Sequence, residues 1–428
     1  MDKTHLKNII TDQRESLEEQ FGNEKIVLRE GLARCKQYLN APNILLISGM
    51  RRAGKSFFSH LLAGAHKYAF INFDDERLIG LKTKDLDGIL ESFYELYGGF
   101  EFILLDEIQN VKGWELFVNR LRNKYKIIIT GSNANLLSTE LASHLTGRFV
   151  SFNVFPLSFK EFLRFNSLEL NEKSIYSTRI RGQLSVLFSK YLAEGGIFDY
   201  YKFGKEFTRN LFRSVITKDI VVRYRVKYAN ALEELALLLV NYFTSKISLR
   251  NLTRHLKIKS SHTVKEYLKY LENAFLVFSI NKFSYKIKEQ ASTFKKIYVS
   301  DNGIVNSLIF DFSENRGKLL ENLVAIELKR RSVLEDFEIF YWDNQSAECD
   351  FIIKKGRKIV SALQVSYELN VQNKKREISG LLRALKEFNL KDGVIITESS
   401  EEEISENGLT IKVIPAWKWL LTQSNMES

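Results

Sequence analysis

Apolar residues in this chain repeat with two different periods, and the changes from one to the other mark its elements. Ile44-Leu45-Leu46-Ile47, Phe102-Ile103-Leu104-Leu105 and Ile127-Ile128-Ile129 are short, uninterrupted apolar runs, as expected of strands buried on both faces. Phe57 to Ala65 lacks Pro and follows the first run through a Gly-bearing loop, so it reads as a helix. Alternation of this kind from Asn43 to about Phe155 predicts a parallel sheet wrapped by helices. Residues 1–40 read as helical, with Leu6, Ile9 and Ile10 giving way to a charged stretch and then to Ile26, Leu28, Leu32 and Tyr38. From Leu157 to about Asn230 the pattern is helical again, with a stop at Glu194-Gly195-Gly196, where Gly tolerates the left-handed end of a helix.

The second half changes character. Leu232 to Phe243 and Ser248 to Leu256 predict two helices, and after a turn at Lys257-Ile258-Lys259-Ser260 a third runs through Val264, Tyr267 and Leu271. Two helices joined by a short turn resemble a helix-turn-helix of the winged type, with Ser260, Ser261, His262, Thr263 and Lys265 at the exposed start of the last helix. Beyond it, Lys296–Asp301, Phe337–Trp342, Glu348–Ile353 and Ala362–Ser366 read as strands, and Leu319–Arg331 as a helix.

The loop after the first strand carries candidate chemistry. Gly49-Met50-Arg51-Arg52-Ala53-Gly54-Lys55-Ser56 fits the pattern G-x-x-x-x-G-K-[ST], between strand and helix as that pattern requires. Backbone N–H groups from Gly49 to Phe57, Ala53 among them, would cradle phosphate at the positive end of the new helix. Lys55 would reach the β- and γ-phosphates of ATP, and the Ser56 hydroxyl would join Mg²⁺. Arg51 and Arg52 either neutralise triphosphate charge or face solvent. The strand ending in Asp106-Glu107 supplies a second metal-directed carboxylate, Asp106, and a residue to orient the attacking water, Glu107. A polar residue after the Tyr125–Thr130 strand would sense the γ-phosphate; Asn133 is the candidate and Ser132 the alternate. Arg148 would stabilise transition-state charge, in its own chain's site or across a subunit boundary of a homo-oligomer. Asp74 and Asp75 close the second strand, either near the nucleotide or as a helix cap and turn.

These residues resemble prokaryotic AAA-type ATPases that carry a C-terminal domain of unknown function. The likeness spans nearly the whole chain. It rests on the Gly49–Ser56 loop, Asn72–Leu78, Leu104–Gln109, Thr130–Asn133, Leu145-Thr146-Gly147-Arg148 and Phe155–Phe162. Glu194–Ile197, Lys218-Asp219-Ile220 and Ile414–Leu421 extend it, with Lys218 and Asp219 as a structural ion pair. The resemblance implies an Mg-dependent ATPase; the expected task is a nucleotide-driven switch on DNA or a DNA-associated partner, with an ATP-controlled nuclease or a DNA- or protein-binding regulator of little turnover as alternatives. The expected organisation is a P-loop domain over residues 1–160, a helical lid over 161–230, a winged-helix-like module over 231–290 and a C-terminal α/β module over 291–428.

Charge adds a partner. Residues 201–300 hold 20 Lys and Arg against 7 Asp and Glu, whereas the rest of the chain holds 43 against 45. All the excess positive charge therefore lies in that quarter, which suggests double-stranded DNA or another polyanion. Two distant cysteines, Cys35 and Cys349, fit a reducing cytoplasm, and no apolar run reaches the length of a membrane span.

The C-terminal pattern of helix-borne Glu321, strand-borne Asp350 and Gln364-Val365-Ser366 resembles restriction-endonuclease-like folds of the PD-(D/E)XK type. That resemblance implies metal binding at Asp350 and at the position of Gln364, and an activating Lys at the position of Ser366. Here Gln is neutral and Ser has no ammonium, so a binding or assembly module is expected unless Lys354 or Lys374 takes over the missing charge.

Overall fold

A computed structural model describes residues 2–23, 25–40, 44–133, 147–170, 177–258, 260–286, 294–309, 315–344 and 347–422. Asn43, Leu145, Thr146 and Lys259, named above, lie outside these described residues. The chain forms two compact units. One comprises Met1–Pro156 with Arg164–Ser167 and Asn273–Phe275, and the other comprises Leu157–Leu163, Leu168–Glu272 and Leu276–Ser428.

The first unit is a five-stranded sheet built from β1 (Ile44–Ser48), β2 (Tyr68–Asn72), β3 (Phe102–Asp106), β4 (Lys126–Gly131) and β5 (Phe149–Asn153). Its order is β2-β3-β4-β1-β5, and every pairing is parallel. The apolar runs are buried along their length in β1 and β3 because helices flank the sheet. These helices are α1 (Lys3–Asn23), α2 (Leu32–Tyr38), α3 (Lys55–Ala63), α4 (Leu86–Tyr97) and α5 (Trp114–Leu121). Leu6, Ile9 and Ile10 of α1 join Phe93, Ile103 and Trp114 in one core.

Residues 1–40 are not helical throughout. Lys25–Arg29 has no regular secondary structure and Glu30 is a turn, with Val27 buried and Ile26 and Leu28 exposed, and Gly31 at φ 82° starts the next helix.

A helix at Phe159–Phe165 has its last two residues in the first unit and the rest in the second, which also contains helices at Thr178–Glu194 and Tyr200–Ser214, followed by a π-helical segment, Val215–Val222. Gly195, at φ 75°, ends the helix Thr178–Glu194 as expected. There is a further reason for glycine: a Cβ on Gly195 would fall 2.0 Å from the Asp301 carboxylate, and one on Gly196 would fall 2.2 Å from the Leu157 carbonyl oxygen. Next come a helix at Ala229–Asn241, β6 (Lys246–Ile247), helices at Leu249–His255 and Ser261–Asn273, and then β7 (Val277–Lys282) and β8 (Lys295–Val299). β8 pairs antiparallel with both β6 and β7.

These strands do not stop at an expected boundary near residue 290. β7 pairs in parallel with β9 (Glu338–Asp343), so one nine-stranded sheet runs β13-β14-β12-β11-β10-β9-β7-β8-β6. Its remaining strands are β10 (Glu348–Lys355), β11 (Lys358–Val365), β12 (Asp392–Thr397), β13 (Glu402–Glu406) and β14 (Leu409–Pro415). Sharing a sheet satisfies edge N–H and C=O groups that two separate modules would have left open. Among the described residues, no helix is long and apolar enough to cross a membrane.

Candidate nucleotide site

Strand register assembles the site. Asn72 lies beside Asp106, Asp106 beside Thr130, and Ser48 beside both Gly131 and Asn153. The carboxyl ends of all five strands thus form one edge, which is where open parallel sheets present ligand sites. Gly49 to Gly54 leave β1 at this edge and turn into α3, which begins at Lys55, two residues earlier than the sequence suggests. Gly54 caps α3 at φ 85°. Gly49 runs so close to β5 that a Cβ there would meet the Val154 carbonyl oxygen at 2.1 Å. The same approach seats the Val154 N–H on the Ser48 carbonyl oxygen at 2.7 Å.

Lys55 is buried, and its ammonium donates to the Met50 carbonyl oxygen at 3.1 Å, 3.8 Å from a Glu107 carboxylate oxygen. The Ser56 hydroxyl donates to Asp106 Oδ2 at 2.8 Å, and the Thr130 hydroxyl donates to Asp106 Oδ1. Burial, then the neighbouring Glu107 charge, push the Asp106 carboxyl up to about 6. Glu107 holds a left-handed backbone at φ 52°. That turn sets its side chain where the Gln109 amide donates to Oε2 and where Ser132 N and Oγ stand 3.3 and 3.4 Å from the same oxygen.

Ser132, the alternate, therefore reaches Glu107, while Asn133 is fully buried just beyond β4. Arg51 pairs with Asp74 at 3.3 Å, and Arg52 is exposed at φ 67°. Ala53 is buried in the loop. Phe57 stacks on Phe21 of α1 with centroids 4.2 Å apart. Asp75 caps a short turn and binds Arg77, whose guanidinium holds its carboxyl down to about 2. Its side chain also accepts from Gln13 at 2.9 Å, so the cap-and-turn alternative describes Asp75.

Arg148 is not brought to this edge. It is exposed at the start of β5, and its carbonyl oxygen accepts from the Ile44 N–H. Its guanidinium faces Asn119. Six residues of strand separate it from the level of Gly49, which puts it about 20 Å from the start of the phosphate loop, at the opposite end of the sheet. Lys218 and Asp219 also differ in setting, Lys218 being exposed and Asp219 buried in the π-helical segment.

Hydroxyl and carboxylate oxygens at Ser56 and Asp106 form a hard, oxygen-only donor pair, the type Mg²⁺ prefers. Sequence reasoning missed Thr130 and Arg29, and it quoted Gln109 without a role. Thr130 is recognisable only through β3–β4 register, and Arg29 only because it donates to the carbonyl oxygens of Ala53 at 3.0 Å and Phe155 at 2.6 Å.

The C-terminal carboxylates do converge, but around a cation that the sequence did not disclose. Lys296 on β8 is buried, with its ammonium 2.9 Å from Asp350, 2.9 Å from Glu348 and 3.2 Å from Glu321. Against burial, these carboxylates hold the ammonium well above its ordinary range. Burial, with the neighbouring Asp350 charge added to it, pushes Glu321 up to about 7 against the pull of Lys296. Gln364 accepts from Asp350 N at 3.1 Å and donates to Glu377 at 2.7 Å. Lys354 and Lys374, the sequence candidates for the missing charge, instead bind Glu338 and Glu402.

Comparison with known proteins matches an AAA domain to residues 41–163 and two domains of unknown function, DUF8612 and DUF4143, to residues 188–315 and 316–419. An uncharacterized protein of Methanocaldococcus jannaschii is 36% identical over 402 residues, covering 89% of each chain. An uncharacterized protein of Haemophilus influenzae is 30% identical over 423 residues, covering 93% of this chain and 100% of that one. Among solved structures, a Walker-type ATPase of Pyrococcus abyssi aligns with a TM-score of 0.43 and 16% identity, over 67% of this chain and 97% of its own. The chain belongs to the family of AAA-type P-loop ATPases that carry these two C-terminal domains of unknown function.

Proposed function

We propose that this chain binds Mg·ATP at Gly49–Ser56 and hydrolyses it, acting as a nucleotide-driven switch on double-stranded DNA. The carrying observation is the cluster at the sheet edge: Ser56 on Asp106 at 2.8 Å, with Glu107 3.8 Å from Lys55. Lys55 would exchange the Met50 carbonyl oxygen for β- and γ-phosphate oxygens. Ser56 and Asp106 would hold Mg²⁺, which when bound supplies positive charge to those oxygens. Glu107, steadied by Gln109 and Ser132, would accept a hydrogen bond from water aligned on the γ-phosphorus. As the water oxygen bonds to phosphorus, the bond to the ADP oxygen breaks, and the water proton leaves through Glu107 to the phosphate. Arg148 takes part in this reading only if a second copy of the chain accepts it.

The DNA element of the proposal rests on residues 246–299. Helix, short strand, two helices and two antiparallel strands follow the connectivity expected of a winged helix. Arg250, Arg254, Lys257, Lys265 and Lys269 are exposed on or beside its two short-turn helices. The module bearing Glu321 and Asp350 is proposed as a binding or assembly module, because the Lys296 ammonium already occupies the place between its carboxylates. The setting proposed is the cytoplasm. The test is steady-state ATP hydrolysis with and without double-stranded DNA at two salt concentrations, with Lys55→Ala as control. Salt-sensitive stimulation is the expected result. Hydrolysis that ignores DNA transfers the switch to a protein partner, and no hydrolysis above Lys55→Ala removes the enzyme.

A further inference from the structure

We infer that the connecting segment Lys25–Arg29 is a strap that carries the state of the phosphate loop to the chain leaving the ATPase sheet; the inference rests on the ATP-binding reading above. Arg29 forms its near anchor. One guanidinium nitrogen donates to Ala53 O at 3.0 Å and the other to Phe155 O at 2.6 Å, so a single planar group ties the loop to the residue that follows β5 and Val154. The far anchor has two parts. Arg164 donates to the Leu28 carbonyl oxygen at 3.0 Å, and Lys25 donates to the Phe165 carbonyl oxygen at 2.6 Å and to the Ser167 hydroxyl. Five residues of strap therefore join the loop to both ends of the stretch 155–167, and both anchors belong to the first compact unit.

The loop end is the part that nucleotide would move. Ala53 immediately precedes Gly54 and Lys55, and Lys55 is held by the loop's own Met50 carbonyl. Phosphate competing for that ammonium and for the loop N–H groups reorients the Ala53 peptide. Arg29 follows, because its two donors are fixed in one plane and cannot serve one carbonyl without shifting against the other. Beneath the strap, the exit of β5 is already locked to the loop. Ser48 Oγ donates to Asn153 at 2.6 Å, and Gly49 leaves no space against Val154. Displacement at the loop thus reaches Asn153 and Val154 directly and Phe155 through Arg29, and the strap carries it on to Arg164–Ser167.

Hydrogen exchange on the full-length chain, with and without Mg²⁺ and a slowly hydrolysed ATP analogue, tests this. In the wild type, nucleotide slows exchange several-fold at 49–56 and at 153–167. Lys25→Gln/Arg164→Gln binds a fluorescent ATP analogue with wild-type affinity and keeps the slowing at 49–56, but loses it at 159–167. Arg29→Gln keeps the slowing at 153–154, which Ser48 and Gly49 contact directly, and loses it across 155–167; Arg29→Lys does not restore it, since one ammonium cannot hold both carbonyls. Full slowing at 159–167 in the double variant overturns the strap. So does a wild type that binds nucleotide without any change at 153–167. A wild type that binds no nucleotide overturns the ATP-binding reading itself and takes the strap with it. Circular dichroism checks folding, and if Arg29→Gln misfolds, the double variant decides the question alone.

Discussion

Replacing Lys296 by Met tests the electrostatic account of the C-terminal unit directly. The side chain is 4% exposed, and its ammonium has three carboxylate neighbours within 3.2 Å. Met fills most of the volume, so the loss is chiefly of charge. Breaking a buried ion pair by removing one partner costs about 3–5 kcal/mol. Here the remaining groups keep some support: Glu348 retains Lys246 at 2.8 Å, Asp350 retains the Val365 N–H at 3.0 Å, and Glu321 retains the Tyr298 hydroxyl at 2.9 Å. A value near the lower end, about 3 kcal/mol, is therefore expected at neutral pH. The assay is native-state hydrogen exchange of β10 amides across a denaturant series, which reads this unit without assuming two-state unfolding of the chain. The pH dependence follows from the raised Glu321 carboxyl. Its protonated form is favoured in the folded state, so its contribution is lost as pH rises from about 4.5 to about 7. Without the ammonium that slope steepens, and the penalty shrinks below about pH 5 as the carboxyls become neutral. A loss under about 1 kcal/mol at pH 8, or one independent of pH, would refute the reasoning.

Other outcomes are equally specific. Lys55→Ala should abolish binding of a fluorescent ATP analogue, whereas Glu107→Gln should retain binding and reduce hydrolysis by about 10²-fold or more in a phosphate-release assay. Gly49→Ala forces a Cβ onto the Val154 carbonyl oxygen, and nucleotide affinity measured by titration should fall at least about tenfold while far-ultraviolet circular dichroism is retained. Asp301 is pushed up to about 7 by burial, although Gly196 N and Gly303 N donate to it at 2.6 and 2.8 Å. Its raised folded value means stability falls as pH rises from about 4 to about 7, and Asp301→Asn should flatten that part of the thermal-stability profile. Asp350→Ala should leave any metal-dependent DNA cleavage in the preparation unchanged.

The elements of the first unit were legible because each strand is a contiguous apolar run, and because G-x-x-x-x-G-K-S confines its ligands to eight consecutive residues. Asp106 and Glu107 were legible for the same reason: a strand end is a local event. Lys25–Glu30 was not. Its apolar residues fit a helical period over so short a stretch, whereas its anchors, Ala53, Phe155 and Phe165, lie far off in the sequence. The sequence ranked Asn133 above Ser132, but the Ser132 contact with Glu107 depends on how β4 ends beside β3, which no local pattern shows.

The sequence by itself determined the P-loop, its two carboxylates, the α/β class and the concentration of positive charge in residues 201–300. All of these depend on neighbouring residues or on composition. Only the tertiary structure decided that Arg148 lies at the wrong end of its own sheet, that Lys296 fills the carboxylate cluster, and that β7 joins β6 and β8 to the C-terminal strands. Those outcomes depend on strand direction, register and the pairing of segments tens of residues apart. A local pattern carries no information about which end of a sheet a residue reaches or which buried charge meets which.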